Sequence, residues 1–112
     1  MPLVDLLPEE NALVFACLKC VASGRVIPHD WEFQTLLGVE PAQVVAVVDA
    51  WPNVDESDEI VGLAINNSLN SLLGLVSDDL LRKHLAYGKS QIAAVFSKWR
   101  GSTSSVHEPR EV

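Results

Sequence analysis

Residues 8–24, PEENALVFACLKCVASG, constrain the fold of this chain more than any other stretch. Pro8 suits an early helical position, and Glu9 and Glu10 favour the positive end of a helix dipole. Gly24 stands where a C-terminal cap belongs. Between them Leu13, Val14, Cys17, Leu18 and Val21 recur at helical spacing. Ala12, Phe15, Ala16 and Cys20 carry the apolar surface nearly all the way round, with Lys19 the lone interior charge. A helix apolar on most faces has to be covered by several neighbours or by a second subunit.

The rest of the chain supplies those neighbours. Asp30 predicts an N-cap for a short helix over residues 31–37, stopped by Gly38. A third helix is expected from Pro41 to Trp51, ended by Pro52. Its interior, Val44-Val45-Ala46-Val47-Val48, has four β-branched residues, and a buried strand is the alternative for this run alone. A lone strand would lack a partner for its ladder hydrogen bonds, which favours helix. Asp55 or Ser57 is expected to cap a fourth helix running to about Leu73, with Gly74 as its stop. Ser77 opens a fifth segment through Leu85. Ser90 opens a sixth, with Ile92, Val95, Phe96 and Trp99 on one face and Gly101 as its end.

These signals predict an all-α fold: one compact bundle of five or six short helices over residues 1–100, followed by a disordered tail over 101–112. A chain of 112 residues, 48% hydrophobic and 21% charged, is long enough for one such core without disulfides or metals. Leu13, Phe15, Leu18, Val45, Val48, Leu69, Leu72, Ile92 and Phe96 are the expected core. One internal echo stands out. Residues 36–51 align with 84–99, matching Leu37/Leu85, Gln43/Gln91, Val47/Val95 and Trp51/Trp99. Two short-then-long helix pairs packed as pseudo-repeats would produce that pattern, and so would chance between two amphipathic helices.

Charge separates the two halves. Residues 1–60 hold eleven acids against Lys19 and Arg25, whereas residues 61–112 hold six basic residues and four acids. The acidic half repels phosphate backbones and anionic membranes, so neither nucleic acid nor membrane is expected as a partner. No apolar run approaches the roughly 20 residues of a membrane span, and the N-terminus does not read as a signal peptide. A cytoplasmic address is expected.

The chemistry-bearing candidates are few. Cys17-Leu18-Lys19-Cys20 is a CxxC, but it lies inside an apolar helix, whereas reactive pairs sit at helix N-termini. A zinc site would need a second ligand pair, and His29, His84 and His107 are too scattered to supply one. Leu37-Gly38-Val39 resembles the turn of a helix-turn-helix, yet the helix after it offers Gln43 and Asp49 and no Arg or Lys. No phosphate loop, nucleophile elbow or paired acid/base set occurs, so no catalytic residue, metal or cofactor is expected.

A non-enzymatic protein-binding module, of the immunity-protein, antitoxin or adaptor kind, fits what remains. Its expected surface is Asp55, Glu56, Asp58 and Glu59, with Trp51 as an anchor and Asn66 and Asn70 at i, i+4 supplying uncharged hydrogen bonds. The same Asn-rich stretch has a second reading, in which it holds the 53–57 loop and a neighbouring helix end in place. The expected partner is a protein with a basic surface. A homodimer is a further expectation, because helices one and three show apolar residues on more faces than a small bundle easily covers. Two alternatives stay open: a helix-turn-helix-like transcription-associated protein, and a small enzyme with an unrecognised site.

Overall fold

The starts of the helices follow their capping chemistry. The computed structural model describes residues 3–104. A 3-10 turn at Leu3–Asp5 precedes α1 (Pro8–Ser23), α2 (Trp31–Leu37), α3 (Pro41–Ala50), α4 (Glu59–Leu75), α5 (Asp78–His84) and α6 (Lys89–Ser104). In α1, α3 and α6 a side chain from the first turn reaches back to the chain just before the helix. Glu10 accepts from the Leu7 N–H, Gln43 from Glu40 and Gln91 from Gly88, at 2.7, 2.7 and 3.1 Å. The other three use a short polar cap: Asp30 accepts from Glu32, Asp58 from Ile60 and Ser77 from Leu80. α1 and α2 end on Gly24 and Gly38 at φ +76° and +69°, where a side chain would be strained.

The fold is all-α, and no strand occurs among the described residues. The valine run 44–48 is helical. Four boundaries differ from expectation, the first being α6, which begins at Lys89 and takes Ser90 into its first turn instead of being capped by it. Asp58 caps α4, while Asp55 instead accepts from the Ser57 N–H and hydroxyl. Gly74 does not stop α4, which ends where Val76 turns extended and buries its side chain. Gly101 does not stop α6, which continues to Ser104. Glycine weakens a helix interior without forbidding it, so a glycine stops a helix only where the chain turns left-handed there. The remaining part of the expected tail, 105–112, lies outside the described residues.

α1 packs against α3, α4 and α6, and α4 against α1, α2, α3 and α6. α1 and α4 are therefore the central helices, which accounts for the apolar circumference of α1 within a single chain. Packing partners repeat across the two halves. α1 lies on α3 as α4 lies on α6, and α3 reaches α4 as α6 reaches α1. The echoed positions share environments too: Val44 and Ile92 are fully buried, Val47 and Val95 nearly so, and Gln43 and Gln91 make the same reach-back bond. One pairing breaks the pattern. α2 packs on α4, but α5 makes at most marginal contact with α1.

Leu13, Leu18, Leu69, Leu72, Ile92 and Phe96 lie in the core as expected. Phe15 and Val48 are only half-buried. Val45 is a correction: it is 37% exposed, and Val44 and Val47 take the inward positions. A run of valines has no polar residue to mark its outer face, so its phase is set by packing against α1 and α4 rather than by its own pattern. The outward positions of α3 are consequently Ala42, Val45, Ala46, Asp49 and Ala50, an apolar surface with one charge.

Candidate functional site

The expected binding residues fall into three places. The first is a groove between α3 and α4, about 240 Å³, bordered by the loop that joins them. Ala46, Val47 and Ala50 of α3 face Ile60 and Val61 of α4, and Val54 of the loop joins this apolar lining. Asp55 and Asp58 stand on its rim, with Gln43 and Asn53 as the uncharged polar groups. Both acids are held by local bonds. The Ser57 hydroxyl, and then its N–H, hold the Asp55 carboxyl below the ordinary carboxylate range. Asp58 is fixed by capping α4, its Oδ1 accepting from Ile60 at 2.8 Å. Ile60 is 37% exposed beside them, an uncovered apolar side chain flanked by fixed negative charge.

Trp51 and Glu56 occupy the second place, a neighbouring cleft shared with Leu3, Asn11, Pro52 and Val54. Trp51 is half-buried and stacks on Phe15, with ring centroids 5.5 Å apart at 17°. Glu56 is not a free surface acid. Its Oε2 accepts from the Leu3 N–H at 2.7 Å and its Oε1 from the Trp99 indole N–H at 3.2 Å. It therefore ties the α3–α4 loop to the N-terminal turn and to α6. Asn11 completes the tie by donating to the Leu3 carbonyl at 2.8 Å. Both bonds of Glu56 span long stretches of chain, and no local motif announced them.

The Asn strip is the third place, and it lines neither cleft. Asn66 is half-buried and donates to the side-chain Oδ1 of Asn67 at 2.9 Å, while Asn70 is exposed. Asn67 does the structural work in this strip: its amide donates to the Leu37 carbonyl at 2.8 Å, closing the end of α2 onto α4. Replacing Asn67 with Ala leaves that carbonyl short of a partner, and we expect a loss of about 1 kcal/mol in chemical denaturation. Asn67→Asp should cost more, because a carboxylate would face the carbonyl oxygen. Equal unfolding midpoints for wild type and Asn67→Ala would show that the bond contributes nothing. Glu59 is exposed at the first turn of α4. Its charge joins those of Asp55 and Asp58 in the same short stretch.

The two cysteines are free and buried. Burial, and secondarily Cys20, pushes the Cys17 thiol up to about 12. The Cys20 thiol is also raised by burial, with Arg25 opposing the shift. Among the described residues no cluster of three His, Cys, Asp or Glu side chains could hold a metal ion, and no helix is long and apolar enough to cross a membrane. Comparison with protein-family models, with curated proteins and with solved structures gives no match.

Proposed function

We propose that this chain is a non-enzymatic protein-binding module, acting in the cytoplasm, that seats a basic amphipathic segment of a partner protein in the α3–α4 groove. The observation that carries the reading is the pairing of an uncovered apolar lining, from Ala46 to Ile60, with carboxylates fixed on its rim at Asp55 and Asp58. An amphipathic helix laid in such a groove buries its apolar face while Lys or Arg at its edge meets the rim acids. The outward positions of α3 offer no cation. A DNA-recognition helix in its place would need Arg or Lys for phosphate and guanine contacts, which disfavours the helix-turn-helix alternative.

The test uses Asp55→Asn, Asp58→Asn and Glu59→Gln together. Asn keeps the oxygen that accepts from Ile60, so the cap of α4 survives and only charge is lost. Against the partner recovered by affinity capture from the native host, association at low ionic strength should slow by about tenfold, and high salt should erase the difference. Ile60→Ser should instead speed dissociation. Unchanged association in the triple variant, or a cross-linking footprint confined to residues 78–100, would overturn the proposal. The apolar outer face of α3 is also where a second copy would dock. Light scattering that gives the mass of one chain at micromolar concentration removes that homodimer.

A further inference from the structure

A cleft of about 410 Å³, larger than the α3–α4 groove, opens between the C-terminal half of α1 and the junction of α5 with α6. Lys19, Arg25 and His84 line it, together with the hydroxyl-bearing Ser23 and Tyr87, and no carboxylate does so among the described residues. Lys19 and Arg25 are the only basic residues in the first 60 positions, against eleven acids. The fold brings both to one place and adds His84 from the other half of the chain. None of the three takes part in an ion pair among the described residues. The Lys19 ammonium rests 4.9 Å from the centroid of the Phe15 ring, which lies outside the cleft lining.

The negative end of the α1 dipole lies beside the cleft, and local donors offset part of it. The Cys20 carbonyl accepts from the Ser23 hydroxyl at 2.6 Å, and the Val21 carbonyl accepts from the Gly24 N–H at 3.3 Å. These terminal acceptors are already engaged.

The two halves of the chain differ at this cleft. In the first half, the end of α2 at Leu37 is drawn onto α4 by the Asn67 amide. In the second half, Leu85 matches Leu37. Both Leu85 and Ala16 line the cleft. No amide tie like that of Asn67 is seen here among the described residues, and α5 makes at most marginal contact with α1.

We propose that this cleft binds a small organic phosphate. The two cationic side chains Lys19 and Arg25, with the His84 imidazole and the Tyr87 hydroxyl beside them, suit the several oxygens and double charge of a phosphate monoester better than a carboxylate. The volume falls within the usual range of small-molecule sites and far exceeds that of a bare phosphate ion. Ala16 and Leu85 offer apolar wall to the organic part of the ligand.

The test is an amide chemical-shift titration of the whole chain with phenyl phosphate, inorganic phosphate and phenol. Phenyl phosphate should give saturable shifts centred on residues 16–25 and 84–87, inorganic phosphate the same residues more weakly, and phenol none. Arg25 and His84 are exposed, so Arg25→Ala and His84→Ala should leave the fold intact and each weaken phenyl phosphate about tenfold. The Asp55→Asn, Asp58→Asn, Glu59→Gln variant should bind it as wild type does, which keeps this site independent of the groove. Linear shifts without saturation, shifts centred on Lys83, Lys89 or Lys98, or full affinity in both single variants would overturn the proposal. So would equal responses to phenol and phenyl phosphate.

Discussion

Glu56→Ala is expected to destabilise the fold by about 2–4 kcal/mol, a large loss for a surface-loop acid. The side chain is the shared acceptor for the Leu3 N–H and the Trp99 indole N–H. Trp99 is 5% exposed, so losing the carboxylate removes the acceptor that its buried indole N–H uses in the α3–α4 loop. Bonds to a charged acceptor are worth more than neutral ones, and two of them are lost together. Three parts of the chain come apart together: the Leu3–Asp5 turn, the α3–α4 loop and α6. Glu56→Gln should recover about half of the loss, since one amide oxygen can accept while the amide nitrogen faces a second donor. Urea denaturation monitored by Trp fluorescence reads the effect directly. An Ala variant within about 0.5 kcal/mol of wild type would mean that water replaces the carboxylate at both donors.

That acid also marks the limit of what could be read from the sequence. Caps were legible because their chemistry is local: Pro8, Asp30, Pro41 and Ser77 each act within one turn of the helix they start. The helix count and the buried face of α6 were legible for the same reason. Glu56 sits in a run of acids and looks like its neighbours, yet its bonds reach 53 and 43 positions away. No pattern within a helical turn encodes such a reach. The phase of α3 was illegible for a different reason, because four valines around one alanine look apolar in every direction. Of the expected binding residues, Asp55 and Asp58 meet at one groove, while Trp51 and Glu56 are occupied in packing and Asn70 stands apart. The cleft of Lys19, Arg25 and His84 was invisible because its charges come from separate segments that only the tertiary fold assembles.

The Cys17 thiol should react about a thousandfold more slowly than an unshifted cysteine at mildly alkaline pH, because attack needs the thiolate. Burial pushes this thiol from 9.0 to about 12, and Cys20 beside it contributes further. Cys20 is raised less cleanly, since Arg25 opposes the shift, and it borders the open cleft. A thiol reagent at about pH 8 should therefore label Cys20 first and reach Cys17 only as the protein unfolds. Removing the guanidinium with Arg25→Ala should slow Cys20 still further and leave Cys17 unchanged. The same shift ties stability to pH. In the unfolded chain Cys17 ionises near its ordinary 9.0, whereas the folded chain keeps the proton until about 12. Between those values the unfolded state binds fewer protons, so stability is full below about pH 9 and falls as pH rises toward 12. Unfolding midpoints in urea should decline across this window, and Cys17→Ala should flatten the decline from a lower starting value, since it also leaves a small cavity. Rapid native-state labelling of both thiols, with a midpoint indifferent to pH above 9, would mean that the α1 interior opens to water far more readily than its packing implies.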